Sequence, residues 1–144
     1  MNVGGQVSER QRLFDLLGDL PDRKYPISVE LIEEIPHDGY LQQRLVLNLN
    51  GIEPVPAYFV KPMGAREPLP CLLYNHAHGG EYHIGKEELL TARSFTYKSP
   101  YAQALTSRWY AALCIDAWAF GERRGRKESE LFKEMLTQPQ DQGD

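Results

Sequence analysis

The sequence predicts an α/β fold, with antiparallel strands leading into a strand–helix–strand unit. Three observations point there. Apolar residues alternate with other residues between Ile27 and Val60, the period of half-buried strands. Two short runs, Cys71-Leu72-Leu73-Tyr74 and Ala111-Ala112-Leu113-Cys114-Ile115, are apolar without alternation, as in strands buried on both faces. Between those runs the apolar residues take helical spacing. The chain has 144 residues, 42% hydrophobic and 25% charged. That suits one domain, because a chain of ~150 residues buries roughly 68–70% of its unfolded surface.

The elements follow in order. Ser8-Glu9-Arg10-Gln11 matches a capping box, and Leu13, Leu16, Leu17 and Leu20 follow at helical spacing. This predicts a short amphipathic helix over 8–18, able to dock on a sheet and ended by Pro21. Antiparallel strands are predicted within 27–61. Asp38-Gly39 and Asn50-Gly51 mark the two turns between them. Pro54 and Pro56 put the start of the third strand at an edge or an irregular position. The segment 70–136 reads as a βαβ unit plus a helix. Its parallel pair is 71–75 with 110–115. Ser99-Pro100 is read as an N-cap followed by a first-turn proline, with a helical face of Tyr101, Ala102, Leu105 and Trp109. A last helix runs from Glu128 through Leu131, Phe132, Met135 and Leu136, and 137–144 is a tail.

Composition excludes several function classes. Lys and Arg number 16 against 20 Asp and Glu, a net charge of −4, so nucleic acid is not an expected partner. No apolar run approaches ~20 residues, so no membrane span is expected. The segment Met1 to Gln11 lacks a signal-peptide core, and a cytoplasmic location is expected. Cys71 and Cys114 read as buried, reduced thiols. No cofactor is expected.

Two loops carry the candidate chemistry. Each follows the C-terminal end of a predicted parallel strand, the edge where open α/β sheets bind ligands. The first is Asn75-His76-Ala77-His78-Gly79-Gly80-Glu81-Tyr82-His83. Its glycines allow a sharp turn and a close approach to main-chain N–H groups, which can stabilise an oxyanion. Spacing alone favours a plain strand-ending turn with histidines bonded to nearby carbonyls. The second loop runs from Asp116 to Arg124. Asp116 is expected to bond its own loop's N–H groups. Tyr82, Trp118 and Phe120 are candidates for an apolar substrate pocket or for a partly buried aromatic lid. Arg123, Arg124, Arg126 and Lys127 read as a solvated basic loop, and Glu33-Glu34 and Glu87-Glu88 as exposed charge.

The run Pro70-Cys71-Leu72-Leu73-Tyr74-Asn75-His76-Ala77-His78-Gly79-Gly80 resembles the third strand and oxyanion loop of α/β-hydrolases. The dienelactone hydrolase and acetyl esterase-like group is the nearest likeness. The order of elements from Ile27 to Leu136 agrees with it. Ala77 stands where the family usually has Gly. The resemblance implies a backbone N–H at His78 or Gly79 as one half of an oxyanion hole. The other half would come from the residue after the nucleophile. In this fold the triad follows in the order Ser, Asp or Glu, His, after the segments seen here. The serines are Ser8, Ser28, Ser94, Ser99, Ser107 and Ser129, and none sits in Gly-x-Ser-x-Gly.

The expectation is therefore the N-terminal half of a serine carboxylic-ester hydrolase. It would be inactive alone and would meet a small ester substrate only once completed by a downstream half. Without the nucleophile strand, the Cys71–Tyr74 edge would be unpaired and prone to self-association. Two alternatives stand beside it. One is a metal-binding module or metal-dependent hydrolase using His76, His78 and His83. The other is a truncated interaction protein without activity.

Overall fold

The computed structural model describes residues 8–18, 22, 24–66, 68–91, 93 and 99–125. Helix α1 spans Glu9–Leu16, and Ser8 Oγ accepts the Gln11 N–H at 3.2 Å. The reciprocal half of the capping box is replaced. The Gln11 side chain donates instead to Asp15 Oδ1 at 2.8 Å. The helix has no buried residue, and Leu16 is 83% exposed, so the expected docking on the sheet is absent among the described residues.

Strands β1 (Ser28–Pro36), β2 (Tyr40–Asn48) and β3 (Pro54–Pro62) form the expected meander. The β1–β2 turn holds His37 N–H on Tyr40 O at 2.8 Å. In the next turn Asn48 and Asn50 side chains accept the N–H groups of Gly51 and Ile52. The register slips between Leu31 and Glu33, a bulge that explains why apolar Ile32 follows apolar Leu31. β1 lies at the edge of the sheet and has no buried residue.

Strands β4 (Cys71–Tyr74) and β5 (Ala111–Ile115) pair in parallel, Leu72 opposite Ala112 and Leu73 opposite Leu113. The order is β1-β2-β3-β5-β4, a five-stranded mixed sheet. β5 therefore inserts between β3 and β4, and β3 is an interior strand. Pro54 and Pro56 sit ahead of Ala57–Val60, the stretch that pairs with β5, and Pro62 sits after it. They interrupt no ladder on that side, which is how an interior strand tolerates them.

Helix α2 is short, Tyr101–Thr106, and Pro100 rather than Ser99 occupies the cap position, with no side-chain cap bond. Trp109, expected on the buried helical face, is 59% exposed at a φ of +61°. The chain turns back there, with Tyr110 N–H on Leu105 O at 3.1 Å.

Alternation along the strands divides the core between the two faces. Tyr40, Tyr58, Val60, Ala112 and Cys114 pack with Leu89 and Ala102 on one side. Leu45, Leu47, Val55 and Ala57 pack on the other, with Phe59, Leu113 and Ile115 partly buried. The expected helix over 128–136, the tail 137–144, and Arg126 and Lys127 lie outside the described residues. No helix among the described residues is long and apolar enough to cross a membrane.

The cysteines divide where the sequence treated them alike. Cys114 is fully buried, but Cys71 is exposed because β4 is an edge strand. Burial, reinforced by nearby Asp116, pushes the Cys114 thiol up to about 12. An aromatic disulfide reagent at pH 8 is expected to titrate Cys71 quickly and to reach Cys114 only after denaturation. Equal native reactivity at both thiols would contradict the packing of β5.

Candidate active site

The two candidate loops meet at the C-terminal ends of β4 and β5. Gly121 N–H donates to Tyr82 O at 2.8 Å, and Ala117 N–H donates to His76 Nε2 at 3.1 Å. The second bond assigns the His76 tautomer. Nε2 accepts, so the ring proton sits on Nδ1, which lies 3.3 Å from Ala77 O. The Phe120 ring contacts His76, His78 and Tyr82 at centroid distances of 4.7, 5.5 and 4.8 Å.

A buried carboxylate fixes the second loop. Asp116 is fully buried, and its Oδ1 accepts Lys86 N–H at 2.7 Å. Its Oδ2 accepts Lys86 Nζ at 2.8 Å and Glu122 N–H at 3.0 Å. Lys86 lies on a 3₁₀ turn, Gly85–Leu89, and is 1% exposed. Its Nζ also donates to Glu122 Oε1 at 2.6 Å. The expected bond from Asp116 to its own loop is present, but the larger part of its satisfaction comes from Lys86, on the 3₁₀ turn that follows the first loop. Room for the carboxylate depends on two glycines. A Cβ on Gly121 would lie 2.5 Å from Asp116 Cγ, and one on Gly85 would lie 3.1 Å from it. Both glycines also hold positive φ, +51° and +50°.

The same 3₁₀ turn fixes the first loop through Glu88, 1% exposed. Glu88 Oε1 accepts the Tyr74 hydroxyl at 2.6 Å and Ala77 N–H at 3.0 Å. Arg93 Nε pairs with Glu88 Oε2 at 2.5 Å, and Arg93 also reaches Ala77 O and Glu81 at 3.4 Å each. Burial, helped by Glu88, raises the Tyr74 phenol well above its ordinary value, so it stays a donor. The reading of Glu87-Glu88 as exposed charge is thus corrected. Glu88 is in the core, and Glu87 accepts the buried Tyr58 hydroxyl at 2.5 Å. Arg123 is corrected in the same way. It donates to Asp116 O at 2.9 Å and pairs with Glu53, rather than standing in solvent.

The oxyanion candidates His78 and Gly79 are exposed at the end of β4. Gly79 and Gly80 carry the left-handed conformations, φ +50° and +72°, and Ala77 does not, so its extra methyl strains nothing. Among the described residues, no acceptor engages the N–H groups of His78, Gly79 or Gly80. Of the pocket candidates, Tyr82 and Phe120 come together, with Tyr82 Oη 2.8 Å from His78 Nε2. Trp118 stays 61% exposed. The three histidines do not converge. His76 holds Ala117, His78 holds Tyr82, and no group of three metal-ligating side chains occurs among the described residues. A concavity of about 390 Å³ lies between β1, β2 and residues 51–54, and no candidate residue lines it. Sequence reading missed Lys86, Glu88, Arg93 and Glu122. The only local signal was a charged run, Lys86-Glu87-Glu88, directly before Leu89-Leu90.

Comparison with known proteins places this chain beside one curated relative. It is 47% identical over 131 residues to a Bacillus subtilis (strain 168) protein named Putative hydrolase YtaP. The match covers 91% of this chain and 44% of the relative, so the chain spans less than half the length of that protein. Among solved structures, an acetyl xylan esterase from Paenibacillus sp. R4 aligns with a TM-score of 0.45 and 23% identity. That alignment covers 66% of this chain and 26% of the esterase. No family model matches.

Two outcomes follow from the charges. Lys86→Met leaves Asp116 buried without its cation, and urea unfolding is expected to show a loss of about 3–5 kcal/mol. A loss under about 1 kcal/mol, the range of an exposed pair, would mean the pair is not buried. Glu122 is held below its ordinary 4.5 by its hydrogen bond to Lys86, against a smaller opposing effect of burial. Its contribution to stability is complete above 4.5 and is lost as pH falls through the lowered value. Glu122→Gln should therefore flatten the decline of the urea midpoint below pH 4.5 and leave its shape above pH 5 unchanged.

Proposed function

We propose that this chain is the N-terminal portion of a serine carboxylic-ester hydrolase of the α/β-hydrolase type. It supplies one half of an oxyanion hole from the backbone at His78 and Gly79. The nucleophile, acid and base come from outside these 144 residues. One observation carries this reading. Three successive N–H groups, at His78, Gly79 and Gly80, lack acceptors among the described residues at the C-terminal end of a parallel strand. The strand order supports it too. In the fold this chain resembles, the third strand pairs with the fourth on one side and the nucleophile strand on the other. Here β4 pairs with β5 on one side, and its other edge has no partner among the described residues.

The chemistry is acyl transfer. A serine hydroxyl from the completing segment loses its proton to a histidine and attacks the ester carbonyl. The carbonyl oxygen gains negative charge, and N–H donors at about 2.7–3.1 Å stabilise it. Tyr82 and Phe120 would form an apolar wall for the acyl or leaving group, with Trp118 at its rim. The two unpaired thiols favour a reducing, cytoplasmic setting. Alone, the chain lacks a nucleophile elbow, and the edge of β4, open among the described residues and bearing Leu73 at 64% exposure, would drive self-association.

The test uses the portion of the Bacillus subtilis relative that this chain does not match, expressed separately. The chain alone should show no turnover of a short-chain aryl ester above background and should elute as oligomers. Mixing should yield a one-to-one complex whose turnover a serine-directed phosphonate abolishes. Phosphonate-sensitive turnover by the chain alone, or an inactive complex, would overturn the proposal.

A further inference from the structure

The loop that would carry the oxyanion donors is held from below by one buried pair, Glu88 and Arg93. We infer that this pair is the positioning device that aims the His78 N–H. Glu88 takes the N–H of Ala77, at 3.0 Å to Oε1 and 3.2 Å to Oε2. Arg93, paired to that same carboxylate at 2.5 Å, reaches the Ala77 carbonyl at 3.4 Å. These two atoms of Ala77 belong to successive peptide planes, so the pair fixes both planes.

The second plane matters most. The Ala77 carbonyl and the His78 N–H are opposite ends of one planar trans peptide, and no cis bond occurs in the described chain. Holding the carbonyl toward Arg93 turns the His78 N–H away from it. His76 adds a second restraint, because its protonated Nδ1 lies 3.3 Å from the same carbonyl and its Nε2 is tied to Ala117 of the other loop. Glu88 and Arg93 are 1% and 6% exposed, so water does not compete for these bonds. Tyr74, at 2.6 Å from Glu88 Oε1, keeps the carboxylate from rotating. A guanidinium suits the task better than an ammonium because its fork engages a carboxylate and a carbonyl together. Glu88 and Arg93 touch no substrate. They act through the loop.

The inference rests on the proposed ester hydrolysis only for its kinetic consequence. Two variants test it. Arg93→Lys keeps the buried charge and loses the fork. Glu88→Met/Arg93→Met removes both charges together and so leaves no unpaired ion. Residual dipolar couplings of the His78 and Gly79 amides in the chain itself read the direction of those N–H groups, and hydrogen exchange reads the hold on Ala77. Both variants should shift or average the couplings and speed Ala77 exchange at least about tenfold, with β2 and β3 amides within about twofold of the parent. In the completed enzyme kcat should fall by about 10–100-fold with KM nearly unchanged, the mark of a misaimed transition-state donor. Couplings that stay the same, or exchange that speeds equally at Ala77 and across β2 and β3, would overturn the inference. If mixing never yields an active enzyme, the proposed function fails, and the couplings and exchange still decide whether the pair positions the loop.

Discussion

The Asp116 carboxylate is the constraint on which the arrangement of the two loops depends. A fully buried anion is tolerable only when charge and hydrogen bonds replace the water it has lost. Asp116 meets that demand with Lys86 Nζ and with the N–H groups of Lys86 and Glu122. Its chain position, directly after β5, means that satisfying it pulls the 3₁₀ turn that follows the first loop against the second loop. The cost appears in the backbone. Gly85 and Gly121 must both lack a side chain, because a Cβ on either would collide with the carboxylate.

The 3₁₀ turn then serves twice. Lys86 reaches the second loop and Glu88 reaches the first, two residues apart on a turn that packs Leu89 into the core. At three residues per turn, neighbours two apart project in different directions. One short element thus clamps two strand ends, and the clamps have opposite sign. Any distortion of the turn would move both the Ala77 peptide and the Asp116 loop. That coupling gives the exposed glycine turn at 79–80 a rigid footing although nothing among the described residues holds its own amides.

Much of the scaffold was legible in the sequence. Leu45 and Leu47 alternate in β2, Val55 and Ala57 alternate in β3, and all four share one face of the sheet. The apolar runs 71–74 and 111–115 are the parallel pair. The two loops lie at one end of the sheet, as their places after those strands required. The solvent exposure of β4 was not legible. Cys71, Leu72 and Leu73 have the composition of an interior strand, yet β4 lies at an edge because β5 takes the place beside β3. A run's composition records what could be buried. It does not say which neighbours are there to bury it.

The sequence by itself determined the periods of the strands, the turns at Asp38-Gly39 and Asn50-Gly51, and the glycine-rich loop after the first apolar run. These depend on residues within a few positions of one another, through backbone sterics and alternation. Only the tertiary structure decided the fate of the charges. Lys86-Glu87-Glu88 reads in one dimension as a solvated run, and two of its three members are among the most buried side chains described. What buries them is 30 residues away for Lys86, at Asp116, and five to fourteen residues away for Glu88, at Arg93, Ala77 and Tyr74. A charge enters the interior only when its partner is already there, and in this chain that meeting requires both strands to be paired.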